Sequence, residues 1–176
     1  PVPIKIIEQR TVGATLGDES IAKSLVAGII GIVLIWLFML GNYGFKGLIA
    51  NIALLFYVLI SLSIFKLLPV TLTLSGIAGF ILSIGMAVDA NILIFERIKE
   101  EVSWGRPHFA ALELGFHRAW TSIRDSSVSS LITATILFSL GSGSVRGFAL
   151  TLIIGILVSL FTSITITKNL IKTLTK

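Results

Sequence analysis

The sequence predicts an all-α polytopic membrane protein with five transmembrane helices. Of its 176 residues, 55% are hydrophobic and only 13% are charged, whereas a soluble domain carries about 25% charged residues. The charges are also segregated, which leaves five uncharged stretches of at least 18 residues. Because a helix needs about 20 mainly apolar residues to cross a bilayer, we predict spans at about 21–41, 47–66, 71–95, 124–143 and 147–168.

The N-terminal segment, residues 1–20, is predicted to be extracytoplasmic and to lead into a transmembrane domain at 21–176. It is the polar part of the N-terminal half, and its two prolines, Pro1 and Pro3, disfavour a helix at the start. The chain begins with proline rather than methionine, and no signal-peptide pattern follows. We therefore expect a fragment or a processed product, with a segment missing upstream.

The connections predict how the spans are paired. The short GNYGF and the glycine-rich GSGSVRG predict helical hairpins between the first two and the last two spans. Leu67, Leu68 and Pro69 separate the second span from the third. The long connection 96–123 is charged and carries Pro107, which predicts two short amphipathic helices with a break between them. Its first part, ERIKEE, has the pattern of a solvated helix end in which Arg97 and Glu101 attract each other.

The distribution of charge predicts the orientation and excludes several functions. Nine lysines and arginines fall on one side of the predicted membrane and five on the other, so the richer side, with the connection 96–123 and the C-terminus, is expected in the cytoplasm. The net charge of +5 lies between spans rather than on one face of a soluble element, which argues against nucleic acid. His108 and His117 are the two histidines of the sequence and lie nine residues apart, whereas zinc sites normally gather three or four ligands. We therefore expect no metal, and we also expect no other cofactor and no enzymatic activity.

Asp89 is the one charge that membrane insertion does not readily explain. Holding an ionised aspartate near mid-membrane costs about 3 kcal/mol on insertion scales, and such residues commonly serve proton relays. A second interpretation is a shallow structural aspartate, because Glu96 at the end of the apolar run follows only about 10 Å further along the helix. The residue type alone favours the functional interpretation and leaves the structural one open.

Polar and small residues around Asp89 predict its surroundings. Ser75, Gly79 and Ser83 repeat at every fourth position, a spacing that permits close helix packing, and Gly85 is expected to join them. The fourth span opens with Arg124 and Asp125, and helical periodicity puts hydroxyls on one face behind them. These residues are expected to support the aspartate, with Arg124 as its nearest basic candidate and hydroxyls from Ser126, Ser130 and Thr133 lining a hydrated path. Hydroxyls that only satisfy their own helix backbone are the alternative.

Four segments carry a resemblance to a known family. GMAVDANILIFERIKEE (residues 85–101) resembles the signature of the SecD branch of the bacterial SecD/SecF family. The resemblance continues through ELGFHRAWTSIRDSSVSSLIT (113–133) and GSGSVRGFALTLIIGILVSLFTS (141–163). The opening PVPIKIIEQRTVGATLGDESI resembles the segment that leads from the outer domain of SecD into its second membrane helix. The related motif of SecF differs at residues 85–101.

The resemblance implies a fold and a set of partners. The expected fold is part of a helical bundle like half of the resistance–nodulation–division (RND) transporters, lacking its first helix and outer domain. The expected partners are SecF, the SecYEG channel, the insertase YidC, an unfolded polypeptide in transit and the lipid bilayer. The implied role is to couple the proton-motive force to late-stage polypeptide export across the inner membrane. A scaffold for translocon assembly and an ion-coupled RND exporter of small molecules are the alternatives.

The resemblance also implies roles for individual residues. Asp89 matches the family's intramembrane aspartate and would carry the proton. Asp125 matches an aspartate at the start of the next helix. Position 127, where the family commonly has asparagine, is Ser127 in this sequence, so the hydroxyl character of the segment is kept and an amide is lost.

Overall fold

A computed structural model describes residues 14–174, and every regular element in this range is helical. The elements in chain order are α1 (Ala14–Leu67), α2 (Leu74–Ser103), α3 (His108–Leu140), α4 (Gly143–Phe161), a π-helical segment (Thr162–Thr167) and α5 (Lys168–Leu174). The last three elements follow one another without a break. Most of the predicted extracytoplasmic segment 1–20 lies outside the described residues, and α1 begins within it.

Helix α1 is bent sharply at Gly44, whose φ of 52° and ψ of −123° are not helical. This left-handed conformation favours glycine, which has no Cβ to collide with the backbone. The bend divides α1 into an N-terminal arm (14–43) and a C-terminal arm (45–67) that lie side by side. Asn51 Nδ2 in the second arm donates a hydrogen bond to the carbonyl oxygen of Trp36 in the first, at 3.3 Å. We call this bend the elbow.

Within the described residues 14–174, three helices are long and apolar enough to cross a membrane, over Glu19–Leu67, Leu74–Ser103 and Gly143–Thr173. The first of these contains the elbow and therefore two apolar arms. The predicted span 124–143 corresponds to the C-terminal part of α3, which does not meet the same measure of length and apolarity. The fold is therefore an all-helical membrane bundle, and five separate crossings remain a prediction.

The predicted short helices in the connection 96–123 are wrong as separate elements. Helix α2 runs through to Ser103 and α3 begins at His108, directly after Pro107, so both parts of the connection are extensions of long helices. The turn between them carries Gly105 at a φ of 78°. The predicted break at Pro107 is therefore confirmed, whereas the helices on both sides of it are longer than predicted.

The ERIKEE segment is not simply a solvated helix end. Glu101 is 1% exposed and accepts a hydrogen bond from Arg118 Nη1 at 2.8 Å, while Arg106 Nε lies 3.0 Å from its other oxygen. Arg97 pairs with Glu100 at 2.8 Å instead of with Glu101. A buried carboxylate requires such partners, and the two arginines tie the ends of α2 and α3 together across the turn.

Helix α2 lies at the centre and packs most extensively against α4. Small residues allow the two backbones to approach, because a Cβ on Gly79 would come within 2.6 Å of the carbonyl oxygen of Phe148. Thr151 Oγ1 donates to the Gly76 carbonyl oxygen at 2.9 Å, which joins the helices at the same level. Further along the contact, Ser83 is fully buried against Gly155. This geometry is typical of small-residue packing between membrane helices.

The four residues for which packing was predicted on α2 do not behave alike. Gly79 and Ser83 lie in the contact with α4. Ser75 is half-buried near Gly147, and its hydroxyl is 3.0 Å from that of Thr73. Gly85 is exposed, and a Cβ there would meet no atom within 4 Å. The packing contact predicted for Gly85 is therefore not made within the described chain, because this residue lies on another face of the helix.

Candidate functional site

Asp89 lies at the mouth of a cavity of about 180 Å³ between α2, α3 and α4. Helix α2 contributes the aspartate and an apolar rim, α3 contributes three serines, and α4 contributes one more serine. We call this space the Asp89 cavity; its walls are formed by Met86, Asp89, Ala90, Leu93, Ile123, Ser126, Ser127, Ser130, Ile156 and Ser159. The apolar residues come from the helix contacts, and the hydroxyls provide the polar lining.

The Asp89 carboxyl group makes no hydrogen bond or salt bridge to any other residue within the described range 14–174. Its side chain is exposed in the isolated chain. A carboxylate in an apolar setting is ordinarily paired or hydrogen-bonded, because its desolvation is costly. The absence of such a partner leaves both carboxyl oxygens available to water or to a proton.

Helix α3 brings some of the predicted residues to the cavity and leaves others away from it. Ser126 lines the cavity while donating to the carbonyl oxygen of Ile123 at 3.1 Å, and Ser130 lines it one turn further on. Thr133 is not among the lining residues and donates to the Ser129 carbonyl oxygen at 3.1 Å. The proposed hydroxyl path therefore includes two of its three predicted members.

The two charged residues at the start of this segment do not reach the cavity. The Arg124 guanidinium binds Asp125 Oδ1 through Nε at 3.0 Å and Nη2 at 2.9 Å. Both side chains are more than half exposed. The expectation that Arg124 offsets the charge of Asp89 is therefore not met within this chain, because the adjacent Asp125 carboxylate occupies its guanidinium.

Two serines of the cavity were not predicted as site residues. Ser127 adjoins the predicted Ser126. The family resemblance distinguishes position 127 only because serine replaces the common asparagine there. Ser159 comes from α4 and is 6% exposed. The signal that could have indicated Ser159 is a hydroxyl inside the otherwise apolar run GILVSLF. Helix periodicity assigns Ser159 to a face of its own helix but does not say which neighbour that face meets.

The π-helical segment begins immediately beyond this wall of the cavity. Thr162 Oγ1 donates to the Ser159 carbonyl oxygen at 3.1 Å, and Thr167 Oγ1 lies 2.8 Å from Asn91 Oδ1, to which it donates. Both threonines and Asn91 are buried. Asn91 follows Asp89 by two positions, so the two side chains leave α2 on nearly opposite sides. Single π turns within α-helices are frequent at functional sites.

The arrangement can hold and exchange a proton. A neutral carboxyl group donates one hydrogen bond, while an ionised one only accepts, and serine hydroxyls can serve either form. The cavity has room for a few water molecules, since each occupies about 30 Å³ in the liquid. Four serine hydroxyls and a carboxyl group without a partner are therefore suited to a water-connected protonation site.

Comparison with known proteins identifies the family. Residues 2–176 match the family model described as protein export membrane protein SecD/SecF, C-terminal. A protein translocase subunit SecD from Synechocystis sp. is 56% identical over 171 residues, covering 97% of this chain and 36% of the relative. The corresponding subunit from Thermobaculum terrenum is 51% identical over 175 residues, covering 97% and 34%. The chain thus spans about a third of the length of these relatives.

Solved structures agree with the family assignment. The crystal structure of SecDF, described as a translocon-associated membrane protein from Thermus thermophilus, superposes with a TM-score of 0.91 at 38% identity, covering 94% of this chain and 23% of that one. SecDF in its super-membrane-facing form gives a TM-score of 0.86 at 39% identity over 99% of this chain and 24% of that one. This chain is a membrane protein that belongs to the SecD/SecF family, and it corresponds to the C-terminal part of that family.

Proposed function

We propose that this chain is the membrane part of a Sec protein-export subunit that couples the proton-motive force to a late stage of polypeptide translocation. Support comes from relatives named protein translocase subunit SecD and from solved SecDF structures described as translocon-associated. The proposed partners are SecF, the SecYEG channel and YidC, and the proposed substrate is an unfolded polypeptide in transit. No enzymatic reaction is assigned to the chain.

The observation that carries this proposal is the carboxyl group of Asp89, which lies in a serine-lined cavity and has no partner among the described residues 14–174. Moving one charge through 100 mV supplies about 2.3 kcal/mol. That free energy drives a conformational change only if the protonated and ionised forms of Asp89 favour different helix arrangements. The wall formed by α3 and by the end of α4 is the part of the bundle whose contacts with Asp89 would change.

Five membrane crossings suit this function. The two arms of α1, the apolar part of α2, the C-terminal part of α3, and α4 with its π segment would each cross once. The lysine and arginine distribution then puts the turn at 104–107 and the C-terminus in the cytoplasm. In this orientation the salt bridges of Glu101 lie at the cytoplasmic surface of the inner membrane, and Asp89 lies about 18 Å inward along α2, twelve residues before Glu101.

The exposed face of α2 suits a protein partner better than lipid. Ala78, Leu82, Gly85 and Asp89 follow one another at helical spacing, and all are exposed in this chain. A face with small residues and a carboxyl group packs closely against another helix more readily than against acyl chains. We propose that SecF covers this face, which would also shield Asp89 from lipid.

The experiment that tests the function replaces Asp89 with asparagine in the complete protein. Asparagine keeps the size and polarity of the side chain but has no carboxyl group that can ionise. We expect export of a slowly translocated substrate to fall at least about tenfold, because the lost driving free energy of about 2.3 kcal/mol per charge through 100 mV exceeds the roughly 1.4 kcal/mol that corresponds to a factor of ten in rate. The matched control is Glu19→Gln, which neutralises an exposed carboxylate paired with Lys23 near the start of α1.

Abundance and SecF co-purification are measured in the same cells. Lost export with normal abundance and pairing supports the coupling role. Normal export in D89N contradicts it and favours the scaffold, while export lost together with SecF pairing identifies Asp89 as a structural residue.

A further inference from the structure

The elbow of α1 and the end of α2 enclose a second cavity, of about 380 Å³. The bend at Gly44 brings the two arms of α1 beside the last apolar turn of α2. We call this space the elbow cavity; it is lined by Asn42, Tyr43, Phe45, Lys46, Phe95 and Lys99. Both of its charged lining residues are lysines.

The charge of the elbow cavity is not balanced by the protein. Lys46 is half-buried, and its ammonium group has no hydrogen-bond or ion-pair partner among residues 14–174. Lys99 has one carboxylate nearby, Glu96, at 3.7 Å, with both side chains largely exposed. Glu96 also interacts with the phenol of Tyr43. Lys99 thus has one carboxylate at a long distance and Lys46 has none among residues 14–174, and an ammonium group without a counterion at a half-buried residue favours binding of an anion.

The walls of the cavity point to an amphipathic anion. Phe95 is 1% exposed and forms the floor, with its ring centroid 5.7 Å from that of Tyr43. Phe45 is 58% exposed beside the lysines. The elbow joins two apolar arms, and Phe95 ends the apolar run of α2, so the cavity lies where membrane-embedded helices meet the headgroup region. Aromatic rings at this level are typical of the membrane interface.

We propose that the elbow cavity binds the phosphate group of an anionic phospholipid. Lys46 and Lys99 contact the phosphate, and the rings of Phe45 and Tyr43 pack along the glycerol and the first methylene groups. Basic pockets between membrane helices are known to take anionic headgroups. The inference is independent of proton coupling, since it involves neither Asp89 nor the walls of its cavity.

The test places the complete protein in phosphatidylcholine nanodiscs that contain a minor fraction of phosphatidylglycerol. After detergent extraction, mass spectrometry measures which lipids remain bound to the protein. We expect phosphatidylglycerol to be enriched over phosphatidylcholine in the wild type. The double variant Lys46→Gln, Lys99→Gln should lower that enrichment about 30-fold, because each lysine near an anionic lipid surface contributes about 1 kcal/mol and about 1.4 kcal/mol corresponds to a factor of ten.

The control variant is Lys66→Gln, which removes the same charge at the other end of the second arm of α1, outside the elbow cavity. It should leave the enrichment unchanged. Equal loss in the control and in the double variant would overturn the proposal, because it would show a general effect of charge. Absence of a phosphatidylglycerol preference in the wild type would overturn it as well, and this readout does not depend on how any variant folds.

A further condition of the same experiment distinguishes a bound lipid from a bound free phosphate compound. Millimolar inorganic phosphate is added before extraction at constant ionic strength. Retention of the bound phosphatidylglycerol supports a lipid site, because the acyl chains add affinity that phosphate lacks. Full displacement by inorganic phosphate contradicts the lipid assignment.

Discussion

Helix α2 carries two polar regions that differ in how their hydrogen-bonding groups are satisfied. On one face, Ser83 and Tyr57 are almost fully buried and their hydroxyl oxygens are 2.6 Å apart. Because Ser83 donates its proton to the Phe80 carbonyl oxygen at 2.7 Å, the Tyr57 phenol is the donor between the two. On the other face, about 9 Å further along the axis, Asp89 has no such partner within residues 14–174. We call the region around Tyr57 and Ser83 the closed region, because its hydroxyl groups are paired. We call the region around Asp89 the open region, because its carboxyl group has no partner within residues 14–174.

The closed and the open region differ in what they contribute to the free energy of folding. A buried hydroxyl without a partner costs about 1–3 kcal/mol, so the Tyr57–Ser83 pair favours the one helix arrangement that satisfies it. An unpaired carboxyl group contributes no comparable packing energy. The closed region is thus expected to determine stability, and the open region is expected to determine activity. Four substitutions test this division, from the largest expected effect to the smallest.

The largest effect is expected from Gly155→Leu in the closed region. A Cβ at this position would overlap Ser83 and approach the Tyr57 hydroxyl within 2.9 Å, so α4 would be forced away from α2. We expect a loss of about 3 kcal/mol or more of folding free energy, seen as a lower thermal midpoint and lower abundance. Gly85→Leu is the matched control, since open space surrounds Gly85. Similar losses in both variants, purified without partner proteins, would contradict the account of α2–α4 packing.

The second prediction sharpens the description of the open region. Ser130→Val replaces a cavity hydroxyl with a methyl group, adds a second methyl group, and should lower export about tenfold, or about 1.4 kcal/mol of activation free energy, with folding stability nearly unchanged. Thr135→Val is its control, because Thr135 is exposed and donates to the Leu131 carbonyl oxygen at 2.7 Å. Export rates at matched abundance separate the two variants. Unchanged export in Ser130→Val would mean that the cavity hydroxyls do not take part.

The third prediction concerns a substitution that removes a hydrogen bond from the closed region. Tyr57→Phe should lower folding stability by about 1 kcal/mol, because hydrogen bonds between membrane helices average about 0.6 kcal/mol and reach about 1.7. Export at matched abundance should stay unchanged. Ser63→Ala, which removes an exposed hydroxyl bonded to its own helix at 2.7 Å, should be close to neutral in chemical unfolding. An export defect in Tyr57→Phe without a stability change would reverse the assignment of the two regions.

The smallest effect is expected from Thr167→Val, at a position between the closed and the open region. This change removes the hydrogen bond to Asn91 and should cost about 0.6 kcal/mol. Thr173→Val is its control, since the hydroxyl of Thr173 is exposed and bonds only to the Asn169 carbonyl oxygen. Hydrogen exchange of the amides in the π segment measures the effect locally. Equal exchange in both variants would show that Asn91 does not hold this segment.

The sequence predicted an apolar, helical membrane protein and a candidate site at Asp89, but it did not predict the contacts between helices. Asp89 stood out because a charge in an apolar run is costly, and the period of an α-helix put Ser126 and Ser130 on one face. Periodicity does not say which neighbour that face meets, so Ser159 was missed and Gly85 was assigned to packing. Glu101 looked solvated for a similar reason, because its partners Arg106 and Arg118 come from the turn and from the next helix.

The central claim is that Asp89 is an exchangeable proton site, and infrared difference spectroscopy of the complete protein in membranes tests it most directly. Protonated carboxyl groups absorb apart from carboxylates, so the difference between spectra with and without a proton gradient shows whether a carboxyl group exchanges its proton. The account predicts a carboxyl difference band in the wild type that is absent from Asp89→Asn and kept in Tyr57→Phe. Identical difference spectra in the wild type and in Asp89→Asn would contradict the claim.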